Sequence, residues 1–275
     1  MALTLMYITN NPDVATVAQS CGVDRIWIDL ETLGKEERQG KIDSVKSHHT
    51  IQDIKRLRPI VTESELLVRV NPINLASKQE IEDVIDAGAD MIMLPMWKTV
   101  EDVKKFIGFV NRRVKTTLLL ETKEAVQCLD EVLELGGFDE IHIGLNDLHL
   151  SYGLSFMFEL LSNGTVEMLC NKIRQYNLPY GFGGIARIGE GLLPAEKIIM
   201  EHYRLGSTRA ILSRSFCDLN SVLDYEAVFK REIERLKNYE KFIENATIDD
   251  FKRNHTSVVN SVNLIVEEKR RDLKL

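Results

Sequence analysis

Cysteine is scarce in this chain. The four residues Cys21, Cys128, Cys170 and Cys217 are scattered and form no C-x-x-C pair, the usage expected of reduced, buried thiols in a cytosolic protein rather than of a disulfide scaffold. Glycine and proline are few, sixteen and six in 275 residues, so no large disordered segment is expected. No apolar run approaches the roughly 20 residues needed to span a bilayer. The opening MALTLMYITNNPD has no basic n-region, so it reads as a first strand and not as a signal peptide. Without a secretory signal the Asn-x-Thr matches at Asn163, Asn245 and Asn254 carry no weight. Basic charge is also short: 35 Lys and Arg stand against 42 Asp and Glu, a net charge of −7 with a pI near 5.5. That balance argues against nucleic-acid partners and against an anionic membrane surface. The expectation is a cytoplasmic protein with neither kind of partner.

What is present is ordinary for a soluble globular chain: 44% apolar, 28% charged, 7% aromatic. The length suits one α/β barrel or two smaller domains. Strand-like apolar runs alternate with helical spacing from end to end. Strands are expected at Leu3–Ile8, Arg25–Leu30, Glu65–Val70, Asp90–Leu94, Thr116–Leu120, Phe138–Ile143, Tyr180–Ala186 and Arg209–Ser213. Helices are expected between them, over Asp13–Ser20, His48–Leu57, Lys78–Ala87, Thr99–Arg113, Lys123–Leu135, Phe156–Leu161, Val166–Gln175 and Pro194–Leu205. Ser77 is placed to cap the third of these, with Glu80 in the capping-box position. Several strands are unbroken apolar runs, as when both faces are buried.

Eight regular βα units without a Gly-rich phosphate fingerprint after the first strand favour a (β/α)8 barrel over an open doubly wound sheet. The barrel is expected over 1–229, with a charged insertion at 32–47, and a helical C-terminal extension over 230–275. Three placements remain open for that extension: against a neighbouring subunit, over one barrel end, or in solvent. The glycines of Tyr180–Ile185 mark close packing or a bulge and leave room for substrate.

In such a barrel the chemistry sits at the C-terminal ends of the strands. The polar residues there are Asp29 and Glu31, Arg69 and Asn71, Glu121, Asn146 and Asp147, Arg187 and Arg214. Glu121 and Asp147 close two consecutive strands, about 4.8 Å apart if they are neighbours. Either acid alone reads as a helix cap; the pair reads as a seat for one hard cation, Mg²⁺ or Mn²⁺. Arg69 lies within a buried strand and needs a partner. It is either a carboxylate clamp for substrate or a salt bridge to Asp29 or Glu31. Among the histidines, His142 and His202 read as structural, and His149 lies near the barrel mouth.

Six segments together resemble the HpcH/HpaI aldolase and citrate lyase β-subunit family. They are IDLE (28–31), LVRVNP (67–72), AGADMIMLPM (87–96), LLLETKEAV (118–126), DEIHIGLNDL (139–148) and GSTRAILSRSF (206–216). The resemblance implies a metal-dependent carbon–carbon lyase acting on a 2-oxo acid through a pyruvate-type enolate, in a homo-oligomer. It implies Glu121 and Asp147 as metal ligands and Arg69 as the grip on the substrate carboxylate or enolate oxygen. Gly144, Asn146 and Asp147 would hold the carboxylate by backbone N–H groups, Pro95 would line the substrate pocket, and Asp29 and Glu31 would organise Arg69.

One departure stands out. The aldolase branch carries a histidine directly after the acid that ends its second strand, and here that position is Thr32. His48 or His49, after the insertion, is a candidate replacement base, or else a solvent-facing pair. Lys35, Arg38 and Lys41 of the insertion either reach a larger anionic substrate or stay solvated. Two other functions fit: cleavage of an acyl thioester, as in citrate lyase, and a non-catalytic barrel used as a binding or assembly subunit.

Overall fold

The computed structural model describes residues 2–34, 48–213, 216 and 224–272, and its eight parallel strands follow one another in chain order round a closed barrel. They are β1 Thr4–Ile8, β2 Arg25–Asp29, β3 Glu65–Arg69, β4 Met91–Leu94, β5 Lys115–Leu120, β6 Glu140–Ile143, β7 Tyr180–Ile185 and β8 Arg209–Leu212. The (β/α)8 expectation is met, and each strand lies where its apolar run places it. The chain divides into two compact units, Leu5–His142 and Met1–Thr4 with Ile143–Leu275.

In the unit Leu5–His142 the helices are α1 Pro12–Ser20, α2 Ile51–Leu57, α3 Ser77–Asp86, α4 Val100–Val110, α5 Lys123–Gln127 and α6 Leu129–Leu135. Side-chain caps set where several of them begin. Asn11 accepts the amides of Asp13 and Val14, and Thr99 pairs with Asp102 in a capping box. Thr50 donates through its backbone N–H and Oγ1 to Asp53, so α2 starts after the two histidines and not at His48.

The capping box expected at Ser77 is absent. Ser77 lies inside α3 and its Oγ accepts the Asn74 amide, while the Glu80 carboxylate is drawn away to Asn71. α4 stops at Val110, three residues short of Arg113, because its C-cap Asn111 takes a left-handed backbone (φ +50°). The single helix expected over Lys123–Leu135 is broken at Cys128, which leaves helical geometry and turns its thiol toward the Lys98 carbonyl.

Strand parity decides what meets inside this unit. Residues two apart on a strand share a face, so Arg25, Trp27 and Asp29 line up on β2, and Glu65, Leu67 and Arg69 on β3. The register pairs them one to one: Arg25 with Glu65, Trp27 with Leu67, Asp29 with Arg69. At the N-terminal ends of the strands Arg25 donates from Nη1 and Nη2 to Glu140 (2.5 and 3.1 Å) and from Nε to Glu65 (2.8 Å). Strands β2 and β6 are not neighbours in the barrel, so the Arg25–Glu140 pair crosses its interior. Burial works against the Arg25 charge, but Glu140 and Glu65 outweigh it and raise the guanidinium pKa above its usual value.

The other unit contains α7 Leu145–Ser151, α8 Glu159–Ser162, α9 Thr165–Arg174, α10 Ala195–Leu205, α11 Tyr225–Ile243 and α12 Ile248–Asp272. The glycines of β7 do mark a bulge, between Gly181 and Gly184 in the pairing with β8. A Cβ on Gly181 would stand 2.2 Å from the Arg209 carbonyl oxygen, closer than any real contact. Gly181→Ala is therefore expected to cost about 1–3 kcal/mol or more through forced backbone movement, read as a lower midpoint in urea denaturation. His202 is structural as expected: it stacks on Phe182 at 3.8 Å and its Nδ1 lies 2.7 Å from Ser207 Oγ.

Helix α11 runs straight across the 229/230 division drawn from sequence. The extension beyond it, α12, packs along α10 and α8 of its own chain, burying Val258 and Val262. Glu201, fully buried on α10, accepts from Asn254, approaches the His255 ring at 3.0 Å and pairs with Arg204. Removing that carboxylate strands several polar groups. Glu201→Ala is expected to cost about 3 kcal/mol and to expose α12 to proteolysis before the barrel opens, which limited trypsin digestion would show. The thiols are less uniform than expected: Cys170 is buried, and burial pushes its pKa up to about 12, but Cys21 and Cys128 are half-exposed. Cys217 lies outside the described residues.

Candidate active site

Asp29 is the last residue of β2 and Arg69 the last of β3, and the register sets them side by side. Arg69 donates from Nε to Asp29 Oδ1 (2.9 Å) and from Nη2 to Asp29 Oδ2 (2.8 Å), a two-point fork, and Nη2 lies 3.3 Å from Glu31 Oε2. Trp27, one turn of the pleat below Asp29, places its ring under the guanidinium at 5.1 Å. All four residues are nearly buried. Burial opposes the charge on Arg69, but Asp29, Glu31 and then Glu121 overcome it and hold its pKa above the ordinary value. The salt bridge to Asp29 and Glu31 that the sequence left open is present. Its geometry changes what Arg69 can offer: the Nε–Nη2 edge is occupied by Asp29, and Nη2 also faces Glu31, so Nη1 is the nitrogen with most left to give a substrate. Among the described residues Nη1 has no partner and remains the outward donor.

Glu121, directly after β5, is buried, and its Oε1 accepts the Met96 backbone N–H at 3.0 Å. Met96 follows the buried Pro95 at the end of β4 and has φ +51°, a left-handed backbone that only a few per cent of non-glycine residues adopt. Next to it, Thr122 Oγ1 donates to the Trp97 carbonyl. Two hydrogen bonds thus tie the β4 exit to the β5 exit and fix the orientation of the Glu121 carboxylate.

Asn71 fastens the β2 exit. Its Oδ1 accepts from the amides of Thr32 (2.9 Å) and Leu33 (3.0 Å), while its Nδ2 and backbone N–H donate to Glu80 Oε1. Burial raises the Glu80 pKa despite those two bonds. After the insertion the chain returns to the same place: the Asp29 backbone N–H donates to His49 Nδ1 at 3.0 Å. His48, its neighbour, is exposed. So the unit Leu5–His142 brings together Asp29, Glu31, Arg69, Glu121 and His49, and leaves His48 in solvent. Lys35, Arg38 and Lys41 of the insertion, and Arg214 near the end of β8, lie outside the described residues.

In the other unit Gly144 is the N-cap of α7, a helix the sequence did not announce. Asn146 and the buried Asp147 fall in its first turn. Gly183 (φ +53°) lets Leu145 approach: a Cβ there would stand 2.7 Å from Leu145 Cδ1. His149 is buried, with Nδ1 3.2 Å from the Leu145 carbonyl. Arg187 donates from Nε to the Phe216 carbonyl. Back in the unit Leu5–His142, a groove of about 720 Å³ lined by Ile107, Arg112, Lys115 and Phe138 lies at the N-terminal ends of the strands.

Sequence reasoning missed three contributors. Trp27 was open to discovery, because it shares a strand face with Asp29 two residues on. The Asn71–Glu80 pair was hidden by reading Glu80 as a capping-box acid. For the left-handed Met96 there is no sequence signal.

Comparison with known proteins gives the family and the fold. The family model for HpcH/HpaI aldolase/citrate lyase matches residues 3–159, more than half of the chain. The 2-keto-3-deoxy-L-rhamnonate aldolase of Escherichia coli K12 is 25% identical over 142 residues, covering 41% of this chain and 53% of that enzyme. The match thus spans about half the length of such curated relatives. Among solved structures, an HpcH/HpaI aldolase from Desulfitobacterium hafniense DCB-2 superposes with a TM-score of 0.61 at 14% identity, covering 90% of this chain and 95% of that one. The citrate synthase SbnG superposes with a TM-score of 0.60 at 15% identity, covering 89% and 96%. At such identities the superpositions speak for the fold, and the family assignment rests on the sequence match: this chain belongs to the HpcH/HpaI aldolase/citrate lyase family.

Proposed function

We propose that this chain is a carbon–carbon lyase that works on a small 2-oxo acid through an enolate, with a divalent cation held by Glu121 and Asp147. The observation that carries the reading is the gathering of carboxylates around Arg69. Three buried carboxylates, Asp29, Glu31 and Glu121, stand around one guanidinium. Carboxylates gathered at the strand exits are hard oxygen donors, the ligand type that a divalent cation such as Mg²⁺ takes. Among the described residues no group of three or more His, Cys, Asp or Glu is arranged to hold a metal. Mg²⁺ does not need one, since it is commonly held by one or two carboxylates with water and substrate oxygens completing its shell. The donor set, all hard oxygen, fits Mg²⁺ or Mn²⁺.

The cation, when bound, would supply Lewis acidity at the 2-oxo oxygen. The residues do the rest. Arg69 donates from Nη1 to the oxygen on which enolate charge develops, an interaction that strengthens as the charge grows. Asp29 holds the guanidinium plane still by its two-point fork, and Trp27 supports it from below. Met96 and Thr122 keep Glu121 in its orientation. Pro95 lines the pocket, and Gly144 and Asn146 bring backbone N–H groups to the substrate carboxylate. The family's homo-oligomeric habit carries over as a proposal that light scattering tests. No helix among the described residues is long and apolar enough to cross a membrane.

The test needs no knowledge of the second substrate. Exchange of pyruvate methyl protons for deuterium, followed by proton NMR, is expected with Mn²⁺ or Mg²⁺, is expected to stop with EDTA, and is expected to be lost in Glu121→Ala. Absence of exchange with metal shown to bind would point to a thioester substrate. Absence of both would leave a non-catalytic barrel.

A further inference from the structure

The aldolase branch's second-strand histidine is replaced here by Thr32, and the imidazole that approaches the β2 exit is His49. Its bond to the main chain limits what it can do. A backbone N–H is a donor in every protonation state and never an acceptor. At 3.0 Å from the Asp29 amide, Nδ1 must present its lone pair, so the proton of the neutral ring sits on Nε2. An imidazole in that state has no lone pair left to take a proton: Nδ1 is occupied and Nε2 already carries hydrogen.

We infer that His49 is a neutral hydrogen-bond donor fixed in the Nε2–H tautomer at the strand-two exit, and not the base that replaces the missing histidine. The imidazole is placed by neighbours on both sides. Asp29, whose amide holds Nδ1, is itself held by the Arg69 fork. Thr50, next in the chain, is locked by Asp53 at the start of α2. The ring therefore has a fixed main-chain partner and a fixed backbone, the conditions for a defined tautomer. A neutral imidazole that donates to a developing oxyanion is an established catalytic device, and it needs no proton to be exchanged with the ring. The role of the donor in turnover rests on the lyase reading; its tautomer does not.

Two measurements test this. In protein labelled with ¹⁵N-histidine, long-range ¹H–¹⁵N correlation, assigned by the signal lost in His49→Gln, is expected to show an unprotonated Nδ1 and a protonated Nε2. A protonated Nδ1, or a ring averaging between tautomers like a solvent imidazole, would overturn the inference whether or not the protein turns over pyruvate. In the methyl-exchange assay His49→Gln, which still carries an N–H donor, is expected to fall by no more than about tenfold. Loss of a general base costs roughly 10²–10⁴-fold, and a fall of that size with metal affinity intact would also overturn it. If wild-type protein shows no exchange at all, the lyase reading fails while the tautomer measurement still decides for or against His49.

Discussion

Arg69→Lys is expected to slow pyruvate methyl exchange by about 10²–10³-fold, the loss found when one preorganised oxyanion donor is removed. The substitution keeps the positive charge between Asp29 and Glu31, so the fold and the metal affinity are expected to survive. What it removes is geometry. A guanidinium can give Nε and Nη2 to Asp29 and still extend Nη1 elsewhere, whereas an ammonium drawn to the same carboxylate is a point charge with no fixed second direction. Measuring exchange rate and Mn²⁺ affinity in parallel separates the two. An unchanged exchange rate in a protein that still binds metal would mean that Arg69 only ties β2 to β3 and that the oxyanion donor lies elsewhere.

Arg25→Met is expected to remove about 3–5 kcal/mol of stability, the usual cost of stranding a buried ion. Arg25 and Glu140 are both nearly inaccessible, with side-chain exposures of 5% and 4%. The methionine would leave Glu140 without its two-point partner and Glu65 with Lys115 alone. The midpoint of urea denaturation reads the loss. The double variant Arg25→Met, Glu140→Leu is expected to recover much of it, because replacing a whole buried pair by apolar side chains is often neutral. A double variant no better than the single would show that the carboxylate was not the source of the cost. These residues stand at the N-terminal ends of their strands, so catalysis in the surviving folded fraction should be unaffected.

The barrel was legible because apolar runs and helical spacing repeat eight times, and because each run is long enough to be buried on both faces. Helix boundaries were less so wherever a side chain found a better partner than the cap its position suggested. Glu80 is the clearest case: a carboxylate three residues after a serine looks like a capping box, but the amide of Asn71 competes for it and wins. Cys128 and Asn111 broke or ended helices by backbone choices that apolar periodicity does not record.

In the site, Asp29, Arg69 and Glu121 were visible as polar residues ending apolar strands. Two facts needed coordinates. One was that Asp29 occupies the Nε–Nη2 edge of Arg69 while Glu31 flanks Nη2, which leaves Nη1 as the main donor to a substrate. The other was the direction of the bond between Asp29 and His49, which runs from main chain to ring and so decides the ring's chemistry.

The anchoring of the chain on either side of the insertion has a consequence for how this protein can vary. Leu33 is held by Asn71, and the chain is caught again at His49 and Thr50 by Asp29 and Asp53. Both ends are therefore fixed points of the barrel, whatever number of residues separates them. The entropy of closing such a loop grows only with the logarithm of its length, so doubling it costs about 0.6 kcal/mol. Insertions or deletions between these two points should be nearly silent in stability. The chain can therefore change in length between Leu33 and His49 without renegotiating the barrel, which makes this stretch a natural site for grafting new sequence.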